Sequence, residues 1–246
     1  MLQGEGVRHG FNLRTGGVSE GAYASFNLGR AVGDEAARVD ENHRRFSSAV
    51  GYGGGALYEV SQVHAAGVRQ VSPVEDAVLV RRYEADALVA PRGAIAIGVR
   101  VADCVPLLIA DVAGGAVAAI HAGWRGTVAG VVEAGVHALL AIGDGDPRAL
   151  RVAMFPHIRR CCFEVGDDVA FALQAASPDP SAIDRSRKKP HVDLAAILRA
   201  KLGELGVGAA AIDDVPGCTR CEPERFFSFR RDGQRSGRHL AAIVSR

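Results

Sequence analysis

Residues 94–120 constrain the fold of this chain more than any other stretch. They form its most apolar segment, yet Arg100, Asp103, Asp111 and the pair Gly114-Gly115 interrupt it. A membrane-spanning helix needs about 20 consecutive apolar residues, so the segment is not read as a span. Its pieces, 94–101, 105–110 and 117–120, read as strands. Several such runs are apolar at successive positions, a pattern that suits a strand covered on both faces. The runs 57–60, 226–229 and 240–244 are expected to be strands as well.

Three helices are expected among them. The first covers 35–50 and is rich in polar residues. The second covers 127–142 and lines up Val128, Val131, Val132, Val136, Leu139 and Leu140 on one stripe. The third covers 191–205, with Asp193 as its N-cap before Leu194, Ile197, Leu198, Leu202 and Leu205. Residues 51–55 read as a glycine-rich turn, and 177–190, with three prolines, as an exposed loop. Strands and helices mix without strict alternation. The expectation is an α+β fold: one domain over 1–246, layered α/β/α, with a mixed and largely buried sheet.

Composition narrows the partners. Basic and acidic residues number 29 and 28, so no overall field attracts nucleic acid. Five cysteines are an odd number in a long chain, unlike a secreted disulfide scaffold. The opening MLQGEGVRHG lacks the basic and apolar regions of a signal peptide. A cytoplasmic protein with free thiols is expected, away from membranes. With no coiled-coil pattern and no long apolar interface helix, it is expected to be a monomer.

The chemistry concentrates in residues 61–126. His64 follows a strand-like run, Cys104 sits between two strands, and His121 ends another strand before a glycine turn. Ligands at strand ends can converge on one rim of a sheet. Two imidazoles and a thiolate suit zinc, and three protein ligands leave a fourth position for water or substrate. The bland alternative is that each is a structural residue, since the spacing is not a compact zinc motif. Cys104 with His121 also suits a metal-free nucleophile and base. Copper also takes such ligands, but an oxidase needs dense histidine clusters, and the eight histidines here are scattered. A binding module without turnover is the last alternative.

The motifs are specific. They include His9-Gly10-Phe11, Arg14, Gly16-Gly17-Val18-Ser19, Phe26-Asn27-Leu28-Gly29 and Gln62-Val63-His64. Ala85-Asp86-Ala87-Leu88, Ala102-Asp103-Cys104-Val105-Pro106 and His121-Ala122-Gly123-Trp124-Arg125-Gly126 follow. The set closes with Cys161-Cys162-Phe163-Glu164, Cys218-Thr219, Phe226-Phe227-Ser228-Phe229-Arg230-Arg231-Asp232-Gly233 and Gly237-Arg238. On these strings the chain resembles the YfiH, or laccase-domain, family over nearly its whole length.

The resemblance implies an α/β domain and a zinc ion held at His64, Cys104 and His121. It also implies phosphorolysis of adenosine, inosine, guanosine and methylthioadenosine, with deamination of adenosine. Some relatives are named polyphenol oxidases, and one branch is linked to editing of peptidoglycan precursors. The partners implied are thus purine nucleosides and phosphate. Arg14, Arg125 and Arg230 fall within the matched motifs and suit a phosphate cradle. Each equally suits a structural pairing with a carboxylate. Asn27 suits a contact to base or ribose, or a turn cap. Asp103 is expected to support a ligand or cap a turn rather than act itself.

Departures from the family pattern are Phe155 and His157 ahead of the double cysteine and Phe163 after it, where a tyrosine is usual. Cys161 and Cys162 read as a reduced structural pair. Cys221, which completes Cys218-Thr219-Arg220-Cys221, reads as incidental, because no second C-x-x-C accompanies it.

Overall fold

The computed structural model describes residue 2, residues 7–53 and residues 56–245. Gly54 and Gly55 of the expected glycine turn lie outside them; Gly51 caps the preceding helix in the left-handed region, with φ +86°. In chain order the elements are β1 (Arg8–Phe11), α1 (Ala36–Val50), β2 (Leu57–Tyr58), β3 (Val68–Gln70), α2 (Ala77–Val80) and β4 (Ala87–Ala90). Next come β5 (Ala96–Val101), β6 (Val105–Asp111), β7 (Val117–Ala122), α3 (Trp124–Ala129), α4 (Val131–Ile142) and β8 (Leu150–Met154). The last are α5 (Asp167–Ala175), β9 (Ile183–Asp184), β10 (His191–Val192), α6 (Leu194–Glu204), β11 (Ile212–Asp214), α7 (Phe229–Asp232) and β12 (His239–Val244).

The expected mixed α+β architecture is present, with its main strands divided between two mixed sheets. One has the order β1-β12-β5-β2 and the other β11-β8-β6-β7-β4-β3; β9 and β10 form a separate pair. Side-chain alternation explains how the two sheets pack. On β6, Val105, Leu107 and Ile109 face α4, α5 and α6, while Leu108 and Ala110 face the other sheet. On β12, Ala241 and Ile243 meet them there, while Leu240, Ala242 and Val244 pack against Phe46 and Val50 of α1. Helices therefore cover both outer faces and the sheets cover each other. That is why the runs 105–110 and 240–244 are apolar at every position.

Three expected elements differ. The stretch 127–142 is two helices, because Gly130 adopts φ +86° and ends the first. The helix expected over 191–205 starts only at Leu194. Asp193 caps it as expected, accepting from the Ala196 N–H, but His191 and Val192 pair with β9. That pairing also places a short strand inside the expected loop 177–190.

The run 226–229 is not a strand. Phe226 and Phe227 are fully buried, but the Phe227 N–H donates to His239 Nε2 and the Phe226 N–H to the Glu222 carbonyl. Their backbone needs are met outside any ladder. Ser228 then caps α7 by accepting from the Arg231 N–H.

The fold matters to the site at one crossing. The chain leaves the four-stranded sheet at the end of β5 and enters the six-stranded sheet at β6. Residues 102–104 make that passage, beside the end of β7.

Candidate metal centre and active site

β6 and β7 pair antiparallel with Pro106 opposite His121 and Val105 opposite Ala122. This register brings Cys104, just before β6, beside the end of β7. Gly123 lies opposite it, and the approach is close. A Cβ at position 123 would lie 3.0 Å from the Cys104 Sγ and 3.2 Å from the His64 Cδ2, so only glycine leaves both side chains undisturbed.

His64 comes from the irregular segment between β2 and β3. Its φ is +61°, and that of Asp103 is +91°. Positive φ at residues other than glycine is uncommon, and here two such residues flank one site. Each is held by hydrogen bonds. The Asp86 carboxylate accepts from the N–H groups of Val63, His64 and Ala65 at 3.2, 3.0 and 2.7 Å. The Asp103 side chain accepts from the Thr219 hydroxyl and the Arg230 N–H, both at 2.6 Å, and its carbonyl from the Ile158 N–H at 2.9 Å. Asp103 is thus a positioning residue with both carboxylate oxygens engaged.

The potential ligand atoms of His64, Cys104 and His121 all lie within 4.8 Å of one another. The two imidazoles meet edge to face, with ring centres 4.8 Å apart. Asp86 Oδ1 lies 2.7 Å from His121 Nδ1, which leaves Nε2 as the ring nitrogen for an ion. Burial alone pushes the Cys104 thiol up and the His121 imidazole down. His121 and His64 together outweigh burial at the thiol, and Cys104 and Asp86 together outweigh it at the imidazole, so the thiol sits below its ordinary range and the imidazole above it. This donor set fits a zinc-type ion. It has two nitrogens, an easily ionised sulfur and a carboxylate behind one imidazole. His64 is exposed, Cys104 half-buried and His121 buried, so the site opens on one side.

That side is a cavity of about 550 Å³, within the range of small-molecule sites. Its walls carry Arg125 and Arg230 together with Arg30, Arg100 and Arg238. Arg30 pairs with Asp40 and Arg100 with Glu59. Among the described residues, Arg125, Arg230 and Arg238 have no carboxylate within ion-pair distance. Ile158, Phe163, Trp124 and Phe229 supply apolar surface, and Phe229 is 48% exposed.

Arg14 and Asn27 do not belong to this lining. Arg14 donates to the carbonyls of Ala24 and Pro223 and lies over the Phe227 ring. Asn27 is fully buried. Its side chain donates to Asp34 and to the Gly29 carbonyl, and accepts from the N–H groups of Gly29 and Arg238. It braces the loop that forms one cavity wall. Phe155 stacks on Phe11, and His157 is buried with its Nδ1 on the Phe155 carbonyl. Those two departures face the interior, whereas Phe163 faces the cavity.

Asp86 and Arg238 stand within the motifs, but the sequence alone assigns neither a role. A carboxylate amid the apolar run Ala85-Asp86-Ala87-Leu88 was the available signal, since a buried charge needs partners.

Residues 8–246 match the family described as multi-copper polyphenol oxidoreductase laccase. The chain is 36% identical over 238 residues to a purine nucleoside phosphorylase of Deinococcus radiodurans, covering 96% of this chain and 88% of that protein. It is 38% identical over 248 residues to adenosine deaminase RL5 of an unknown prokaryotic organism, covering 97% and 94%. Among solved structures it resembles YlmD from Geobacillus stearothermophilus, with a TM-score of 0.89 and 31% identity over 98% of this chain and 92% of that one.

Proposed function

The chain belongs to the multi-copper polyphenol oxidoreductase laccase family, and on that footing we propose that it is a zinc-dependent purine nucleoside phosphorylase that also deaminates adenosine. The observation that carries this reading is the convergence of His64, Cys104 and His121 on the wall of a cavity that also holds three arginines without carboxylate partners.

His64, Cys104 and His121 would hold the zinc ion, which would supply Lewis acidity beside the substrate cavity. The protein does the rest. Asp86 fixes the His121 tautomer and the turn that presents His64. Arg125, Arg230 and Arg238 offer guanidinium groups to phosphate, which they bind through charge-assisted, often bidentate hydrogen bonds. Phe163 and Phe229 offer ring surface to the purine. In phosphorolysis a phosphate oxygen bonds to the ribose carbon while the bond to the purine nitrogen breaks, its electron pair leaving with the base. The cationic wall holds the attacking anion in place for that step.

Two other readings meet specific observations. The order Asp86–His121–Cys104 is also that of a thiol hydrolase, as in the peptidoglycan-precursor branch. His64, packed against His121, has no task there. Copper oxidation needs clustered histidines, and among the described residues the groups able to hold a metal contain only two.

The test is a panel of adenosine, inosine, guanosine and methylthioadenosine, with and without phosphate. Free base, ribose phosphate and ammonia are followed before and after chelation. Phosphate-dependent base release that is lost on chelation and restored by zinc is the expected result. Turnover that survives complete metal removal would point to the hydrolase.

A further inference from the structure

The remaining four cysteines lie together. Cys161 and Cys162 follow β8, and Cys218 and Cys221 follow β11, more than fifty residues later. The two segments are fastened side by side. His157 and Cys218 form a parallel bridge, the Thr219 N–H donates to the His157 carbonyl, and Arg159 Nε donates to the Gly217 carbonyl.

The Cys161 Sγ lies 3.7 Å from that of Cys162, 3.6 Å from that of Cys218 and 3.6 Å from that of Cys221. Cys162 and Cys221 are 3.1 Å apart, and all four sulfurs lie within 4.8 Å of one another. Four sulfurs around zinc at about 2.3 Å form a tetrahedron with edges of about 3.8 Å. A disulfide brings its two sulfurs to about 2.05 Å and excludes the others. Three of the measured edges match the tetrahedron, and all five cysteines are free thiols.

A second observation concerns charge. The Cys218 Sγ accepts from the Arg159 N–H at 3.5 Å and is also approached by the N–H groups of Arg220 and Cys221. The C-x-x-C turn folds its own amides onto its first sulfur, an arrangement that stabilises a thiolate. The Arg220 guanidinium lies against the Cys162 sulfur. Thiols sharing only weak S–H contacts have no use for these donors.

We propose that Cys161, Cys162, Cys218 and Cys221 bind a second zinc ion, held by four thiolates and serving as a structural clamp. On binding, the four thiols release their protons, and the resulting net charge of −2 is offset by Arg220 and by the amide donors. Four protein ligands close the coordination sphere, so this ion takes no substrate. Its effect reaches the active site through neighbours. Thr219, next to Cys218, donates to Asp103, and Phe163, next to Cys162, lines the cavity. The two sites share no ligand.

The test is elemental analysis of protein purified in reducing, chelator-free buffer, together with cobalt substitution. Wild type is expected to carry two zinc ions per chain, and Cys104→Ala and Cys221→Ser one each. Should Cys221→Ser fail to fold, the Cys104→Ala protein decides alone, since its only cysteines are these four. Loaded with cobalt, it is expected to show thiolate-to-cobalt charge transfer and the intense visible bands of a tetrahedral site. A Cys104→Ala protein that folds but holds no zinc and lacks those bands would overturn the proposal. So would a Cys162–Cys221 disulfide in the purified wild type.

Discussion

The Asp86 carboxylate holds two of the proposed metal-binding residues at once: it bonds the His121 ring and accepts from the backbone N–H of His64. An Asp86→Asn substitution keeps the size but removes the charge that orients and polarises the imidazole. Metal affinity is expected to fall about 10- to 100-fold, with nucleoside turnover falling alongside it. Competition with a chromogenic chelator measures the first and a product assay the second. Unchanged affinity would show that His121 needs no carboxylate behind it.

Gly123→Ala tests the close approach between the strand end and the ligands. Its φ of −82° suits alanine, so the backbone is not strained, but the new methyl would press on the Cys104 sulfur and the His64 ring. The expected outcome is a thermal midpoint within a few degrees of wild type and at least about 10-fold weaker zinc binding, because displacing two of three ligands removes geometry rather than core packing. Calorimetry and metal titration separate the two effects.

The arginines are expected to separate the two proposed reactions. Among the described residues, Arg125 makes its one recorded contact with the Trp124 ring, its guanidinium carbon 4.4 Å from the ring centre, and it has no carboxylate partner. Arg125→Ala is expected to raise the KM for phosphate about 10- to 100-fold, matching the loss of one charge-assisted hydrogen bond at about 1.5–3 kcal/mol. Deamination of adenosine, which uses no phosphate, is expected to change less than about threefold. Equal losses in both reactions would remove Arg125 from the phosphate site.

Two buried histidines make the fold acid-labile. Burial holds His239 down at about 3 and His157 at about 4. His239 Nε2 accepts from the Phe227 N–H while Nδ1 donates to the Asn12 carbonyl, so a second ring proton would confront a donor. Unfolded, each imidazole binds its proton near pH 6.5. Between the folded and unfolded values the unfolded chain therefore holds the extra protons, and stability falls as pH falls. Urea unfolding is expected to lose on the order of 2 kcal/mol per histidine between about pH 7.5 and about pH 5. A flat profile across that window would mean that both rings take up their protons in the native protein as readily as in the unfolded chain.

The fold was legible wherever side-chain chemistry and backbone bonding agree. The strands β5, β6, β7 and β12 announced themselves because both their faces are covered. Phe226-Phe227 carried the same apolar signal, yet a histidine side chain twelve residues away takes the amide a ladder would have used. Gly130 broke a continuous apolar stripe by backbone conformation alone. β1, with the residues Arg8-His9-Gly10-Phe11, lies at a sheet edge and has no alternation to read. At the site, His64, Cys104 and His121 were visible as motif residues. Asp86 and Arg238 stand within motifs too, but their roles were not legible, because these depend on distant partners. Cys221 was passed over for the same reason: the pair facing it lies about sixty residues earlier in the chain.

The strand order β1-β12-β5-β2 carries a consequence for biosynthesis. Among the described strands β12 is made last, yet it lies between β1 and β5. Until residue 244 clears the ribosome, β1 has no neighbour in its sheet and β5 has only β2. Ile97 and Val99 meanwhile lack the strand that flanks them in the finished protein. β1 and β5 therefore come into one sheet only through residues 239–244, and the middle of that sheet closes after every other described strand has been made.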